Sequence, residues 1–243
     1  MKMYNKNFAE IYDLLYSHKN YEKEVKYILS NSSGGALLDV GAGTLSHSVM
    51  LSAHFNRILA TDFSIEMLNV GLSKINAAKI KNIDVFCGEL DKIEDSFDTI
   101  ISMFNVVNHI LSMKEISHFF QLVESRMNED GIFIFDAWGG LANIIDPPME
   151  FDDRTIETDK GSIKLGVKTK TCFKSLIATM NMTASFKGTQ IETVLRHRIW
   201  TMDVLTELVE NANLKVIKYN VFFDENEEFS EFSRKIVFVC KKK

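Results

Sequence analysis

The chain is poor in residues that break or staple a fold. Its 243 residues include two prolines, Pro147 and Pro148, and three cysteines, Cys87, Cys172 and Cys240, which are far apart. Cysteines so placed lack metal-site spacing. They read as reduced thiols buried as small apolar residues in strand-like runs. There is no N-terminal signal pattern and no apolar run long enough to span a bilayer, so a cytoplasmic protein without a membrane partner is expected. Positive charge is not in excess either: 28 Lys and Arg against 33 Asp and Glu give a net charge of −5. The one basic cluster, Lys241-Lys242-Lys243, reads as a solvated tail, and a nucleic-acid partner is not expected. Internal repeats and low-complexity linkers are absent. With 46% hydrophobic residues the chain has the means to bury one full core.

What is present begins with Leu37-Leu38-Asp39-Val40-Gly41-Ala42-Gly43-Thr44, an apolar run that meets an acid and then a Gly-x-Gly. This predicts a buried strand ending in a tight turn, where missing Cβ atoms at Gly41 and Gly43 let a nucleotide-like ligand lie against the peptide groups.

Helical spacing over Phe8–Tyr16 and Tyr21–Leu29 predicts two helices before the first strand, Ala36–Val40. A helix over Ser46–His54 follows, then a strand around Ile58–Ala60 and a helix capped by Asp62 or Ser64. Strands are predicted over Ile83–Cys87, Phe97–Met103 and Ile132–Phe135, with a helix over Lys114–Met127 and a turn at Asn128–Gly131. Alternating strands and helices imply a parallel sheet. After Pro148 the pattern changes to alternating polar and apolar residues in four segments between Arg154 and Trp200, an antiparallel insertion. The chain resumes with a helix over Met202–Asn211 and strands over Leu214–Phe223 and Lys235–Cys240. The fold class expected is α/β, a Rossmann-like seven-stranded, mostly parallel sheet with a C-terminal antiparallel hairpin. The units expected are a helical lid (1–31), a core (32–146 and 201–243) and an insertion (147–200) covering the acceptor side.

A dinucleotide and S-adenosyl-L-methionine (SAM) share this opening. The dinucleotide fingerprint wants Gly or Ala three residues past the second glycine, where this chain has Ser46. Asp39 adds negative charge where a pyrophosphate would lie, but it suits the ammonium of a methionine moiety. Asp62, 19 residues past Gly43, offers ribose hydroxyls an acceptor in either case. Charge therefore favours SAM. An NAD-dependent oxidoreductase and a non-catalytic SAM-binding or regulatory protein stand as the alternatives.

Four ordered segments carry a family resemblance: Leu38–Thr44, Ala60–Leu68, Cys87-Gly88-Glu89-Leu90 and Phe97–Phe104. With them the chain resembles the class I SAM-dependent methyltransferases, over most of its length from Tyr4 onward. The resemblance implies that Gly41 and Gly43 border the methionine and ribose parts, Asp62 binds the ribose and Met67 packs on adenine. It also places Glu89 near the adenine amino group and Leu90, Phe104 and Tyr21 against the cofactor, with S-adenosyl-L-homocysteine as product. The family commonly has glycine where this chain has Leu45, and the bulkier side chain is expected to tighten the loop or weaken cofactor binding. Looser stretches, Phe8–Tyr16 with Lys19-Asn20-Tyr21, Phe135–Gly140 and Leu195–Thr201, resemble glycine N-methyltransferase and the N,N-dimethyltransferases of nucleotide-linked amino sugars.

Methyl transfer requires mainly orientation and exclusion of water, with a base where the acceptor arrives protonated or is a hydroxyl. His109, after the fourth strand, and His197, on the insertion, are the candidate bases, each with an ordinary structural role as the alternative. His18, His47, His54 and His118 read as ordinary. Tyr12 and Trp138 are candidate substrate contacts, against a packing role for the tyrosine stripe and a core role for the tryptophan. Arg196 and Arg198 share one face of their strand and His197 takes the other, so either the arginines hold a phosphate or His197 acts as base. The acceptor expected is a small molecule, and the protein a monomer or homodimer.

Overall fold

Consecutive apolar pairs such as Leu37-Leu38, Ile100-Ile101 and Phe133-Ile134 send alternate side chains to opposite faces of a strand, so a strand built of them needs cover on both sides. The structure, a computed structural model, describes residues 4–147 and 150–243. Residues 1–3, the start of the expected lid, and Pro148, where the pattern was expected to change, lie outside the described residues.

In chain order the elements are α1 (Lys6–Leu15), α2 (Tyr21–Asn31), β1 (Ala36–Val40), α3 (Ser46–Leu51), β2 (Arg57–Asp62), α4 (Ile65–Ala78) and β3 (Ile83–Cys87). Next come β4 (Phe97–Ser102), α5 (Val106–His109), α6 (Met113–Arg126), β5 (Met127–Trp138) and α7 (Gly140–Ile145). The inserted strands are β6 (Phe151–Ile156), β7 (Ile163–Cys172), β8 (Ile177–Phe186) and β9 (Thr189–Arg198), followed by α8 (Met202–Asn211), β10 (Leu214–Val221) and β11 (Lys235–Lys242). Polar side chains cap α1, α2, α4 and α6: Asn5 accepts from the Phe8 amide, Asn20 from Lys23, Ser64 from Met67 and Ser112 from Glu115.

The expected architecture is the one observed. Seven strands run in the order β10-β11-β5-β4-β1-β2-β3, parallel except that β11 lies antiparallel between β5 and β10. One apolar cluster joins the sheet to α6 and α8 through Phe120, Val123 and Val209, and a second joins the opposite face to α2, α3 and α4 through Ile28, Leu51 and Leu68. β6–β9 form a separate antiparallel sheet.

Several particulars differ from the sequence-based expectation. The N-terminal helices do not act as one unit: α1 packs Phe8, Ile11 and Leu15 on the four-stranded sheet, whereas α2 packs on the main sheet. The Asn128–Gly131 turn is absorbed within β5 as a register shift against β4. The helix from Ser46 ends at Leu51 rather than His54. Ser64, not Asp62, is the N-cap of α4. Cys87 and Cys172 are exposed, and Cys240 alone of the three is buried.

Leu45 does not narrow the glycine turn. It adopts φ 62°, ψ 24°, the left-handed conformation that a glycine would supply, and its buried side chain points into the core toward α4. Gly71 on α4 receives it: a Cβ there would lie 2.6 Å from Leu45 Cδ1. Gly71 leaves open the space that the Leu45 side chain fills. Gly71→Ala is therefore expected to destabilise the fold by about 1–3 kcal/mol through overpacking. Leu45→Gly should also destabilise, because the cavity term of about 2–5 kcal/mol exceeds the left-handed strain of about 1–2 kcal/mol that it relieves. Urea unfolding of both single variants and the double variant measures the coupling, and additive losses would refute the paired packing.

Candidate active site

The site forms where the sheet order departs from chain order, at the carboxyl ends of β1 and β4, the crevice in which open α/β sheets hold ligands. β1 runs into a turn that contains Gly41 and Gly43, both at positive φ. The turn is held from β2: Asp62 Oδ2 accepts the Gly43 amide at 2.9 Å, and Oδ1 accepts the Ser64 amide at 2.8 Å. Burial raises the Asp62 carboxyl above the ordinary range, opposed by the amides of Ser64, Gly43 and Phe63. At the end of β4, Phe104 and Asn105 are both left-handed, with φ 69° and 62°. Val106 then packs against Gly41, where a Cβ would come within 2.6 Å of Val106 Cγ2.

These turns enclose a cavity of about 460 Å³. Its walls include Gly41, Gly43, Asp62, Met67 and Leu90 from the β1, β2 and β3 ends, and Phe104 and His109 from the β4 end. Tyr4 and Tyr12 close it from the N-terminal segment. A smaller space of about 30 Å³ adjoins, bounded by Tyr21, Asp39, Ser46 and His47, and shares Tyr12, Gly41, Gly43 and Phe104 with the first. Asp39 is fully buried with a bond of 2.6 Å from Ser48 Oγ, and burial pushes its carboxyl up. The wall is mostly aromatic and aliphatic, with few polar groups to orient a ligand.

On one side of the large cavity lies a column of rings. His109 Nδ1 donates to the Arg196 carbonyl at 3.2 Å, which fixes the proton there and leaves Nε2 to accept from the Tyr4 hydroxyl at 3.3 Å. Burial pushes His109 down to about 4, partly offset by the Arg196 carbonyl. His197 stands between His109 and Trp138, with ring centroids 4.2 Å and 4.5 Å away, and burial followed by the His109 charge lowers it strongly. Burial also raises the Tyr4 and Tyr12 hydroxyls, so both keep their protons.

The sequence reading is thus divided. Tyr12, Tyr21, Asp39, Gly41, Gly43, Asp62, Met67, Leu90, Phe104 and His109 meet around the two spaces. Glu89 stays on the exposed surface beside them, because the chain turns at Gly88 and brings Leu90 inward instead. Trp138 and His197 lie behind His109 in the ring column rather than in the cavity wall. Strand alternation sends Arg196 to solvent, while Arg198 donates to the Leu111 carbonyl and covers the Trp200 ring, so neither arginine faces the cavity. Tyr4 escaped the reading because it precedes any helical repeat.

His47, read as ordinary, belongs to a buried cluster. Its Nε2 lies 2.7 Å from Glu24, which also pairs with Lys19, and the Lys19 ammonium sits 3.9 Å above the Tyr21 ring. Burial works to raise the Glu24 carboxyl, but His47 and Lys19 outweigh it and hold it at about 2. The only hint in sequence was a glutamate on the apolar side of α2.

In fold and in part of its sequence the chain is similar to known methyltransferases. Residues 37–131 match the family described as Methyltransferase domain. The chain is 26% identical over 137 residues to YqeM, a candidate methyltransferase of Bacillus subtilis (strain 168), with 56% of each chain covered. It thus spans about half the length of the curated relatives it matches. Among solved structures, an S-adenosylmethionine-dependent methyltransferase from Clostridium acetobutylicum ATCC 824 superposes with a TM-score of 0.84 at 20% identity, covering 97% of this chain and 98% of that one. CalS10, an amino pentose methyltransferase from Micromonospora echinaspora, superposes with a TM-score of 0.71 at 13% identity, covering 100% and 99%.

The Glu24 cluster sets an acid limit on stability. A folded-state carboxyl held below its ordinary value contributes stability above about pH 4.5, and that contribution is lost as pH falls toward 2. Glu24→Gln, which leaves the buried Lys19 ammonium without a counter-charge, should cost about 3 kcal/mol at neutral pH and flatten the acid limb. Urea midpoints recorded against pH for both proteins check this, and parallel curves would contradict it.

Proposed function

We propose that the chain is a SAM-dependent methyltransferase acting on an amino or hydroxyl group of a small polar metabolite, with nucleotide-linked amino sugars the preferred class. The observation that carries this reading is the Asp62 carboxylate. It is held at the cavity wall beside the glycine turn by backbone amides on both oxygens, and each oxygen has a further lone pair to offer ribose hydroxyls. The remaining walls fit the same ligand. Met67 and Leu90 supply an apolar berth for a purine, while Tyr21, Asp39 and Ser46 bound the small space suited to an amino-acid end. The match to CalS10 over the full length supports the acceptor class.

SAM bound there supplies an electrophilic methyl group. Phe104, which borders both spaces, and the Tyr4 and Tyr12 rings exclude water from that junction and orient the acceptor. His109 stays neutral at physiological pH, adds no positive charge beside a sulfonium, and offers Nε2 to take a proton from the acceptor once Tyr4 gives way. Among the described residues no cation of the insertion lines the cavity, so Arg196 and Arg198 do not serve as the phosphate grip in this reading.

Calorimetry with S-adenosyl-L-homocysteine tests the cofactor, and absence of binding in the millimolar range would overturn it. Asp62→Ala should weaken binding by about 1.5–3 kcal/mol or more, since it also frees the Gly43 and Ser64 amides. His109→Gln should lower kcat by about 100-fold with little change in cofactor affinity. The wild-type rate should lose its base as pH falls through about 4, not through the ordinary histidine value. An acid limb near 6.5 would contradict the assignment.

A further inference from the structure

Two consecutive non-glycine residues in left-handed backbone, Phe104 and Asn105, need something to hold them. The Asn105 side chain does not: its Oδ1 is buried without a hydrogen-bond partner among the described residues. The restraint comes from the backbone amide, which donates to Asp136 Oδ1 at 2.6 Å. Asp136 lies on β5, fully buried and outside the cavity wall, and its Oδ2 accepts from Lys235 Nζ of β11 at 2.8 Å. The same ammonium lies 5.2 Å from the centre of the Phe104 ring. A neutral acceptor would satisfy the amide. A carboxylate gives a shorter, charge-assisted bond, and the lysine is what makes the buried charge tolerable.

The corner so held fixes the wall common to both spaces. Phe104 borders the large cavity and the small one, and Val106 closes against Gly41 across the gap. We infer that Asp136 and Lys235 are positioning residues: their buried ion pair clamps the left-handed Phe104–Asn105 corner and thereby sets the cavity at the point where its two parts meet. What the cavity holds rests on the function proposed above; the clamp itself rests on the backbone geometry.

The test uses the full chain and removes the clamp without leaving a charge buried, as Asp136→Leu with Lys235→Met. Hydrogen exchange on the ligand-free protein should show the Asn105 amide protected in the wild type and exposed in this variant. Affinity for S-adenosyl-L-homocysteine should fall by about tenfold, the equivalent of one charged hydrogen bond. Adding Asn105→Gly, which reaches positive φ without strain, should restore affinity to within about threefold. Asp136→Asn, which still offers an acceptor oxygen, should exchange nearly as slowly as the wild type. If the double replacement does not fold, Asp136→Ala with Lys235→Met takes its place. Unchanged exchange at Asn105, or a loss of affinity that the glycine does not restore, would overturn the clamp. A wild type that binds no S-adenosyl-L-homocysteine would instead overturn the cofactor reading, and the exchange comparison still decides the clamp.

Discussion

Backbone amides released at the strand ends are taken up by carboxylates from neighbouring strands. Asp62 holds Gly43 and Ser64, Asp136 holds Asn105, and at the opposite end of β1 Asp98 accepts the Ala36 amide at 2.7 Å. A chain that must leave a parallel sheet within a few residues passes through left-handed backbone, and there its N–H groups have no ladder partner. Satisfying them with side chains already fixed on β2, β4 and β5 makes each corner a property of the sheet rather than of the loop. The cavity, which consists of such corners, inherits that rigidity.

Rigidity of this kind places charge where water is scarce, and every buried carboxylate then demands compensation. Glu24 is matched by His47 and Lys19, and Asp136 by Lys235. The partners come from distant parts of the chain, so neutralising the charges also joins the α1–α2 connection, α3, β5 and β11. The Lys19 and Lys235 ammoniums approach the Phe104 ring to 4.8 Å and 5.2 Å from its centroid. Phe104 is thereby held by cation–π contacts as well as by its own corner. At Asp39 burial outweighs both His47 and the Ser48 hydroxyl, and its carboxyl is pushed up.

Much of this was legible before any coordinates. β1, β3 and α8 have the bounds that apolar runs and turn residues indicated, because a buried strand between polar punctuation leaves little freedom. That Asp62 adjoins the glycine turn was legible because an acid at the end of the next strand, 19 residues past Gly43, comes to lie beside that turn in a strand-helix-strand unit. What escaped was whatever depended on partners remote in sequence. Glu24 and His47 lie 23 residues apart and each sits in an unremarkable helical pattern. The short helices α5 and α7 hold too few residues to show a period. Arg196 and His197 could be assigned to opposite faces, but only the packing of β9 against α5 says which face is inner.

Leu45 illustrates how a departure from a motif is resolved by packing. A left-handed leucine costs about 1–2 kcal/mol relative to a relaxed conformation. Full burial of its side chain contributes about 1.5–3 kcal/mol, provided a site of the right shape exists. Gly71 makes that site by giving up its own side chain, so the strain is offset inside the core and the turn keeps the backbone path a glycine would take. The cavity face of the turn still presents Gly41 and Gly43, and Leu45 is absent from the walls of both spaces. The substitution that seemed to threaten the ligand site bears instead on how firmly α3 and α4 are joined beneath it.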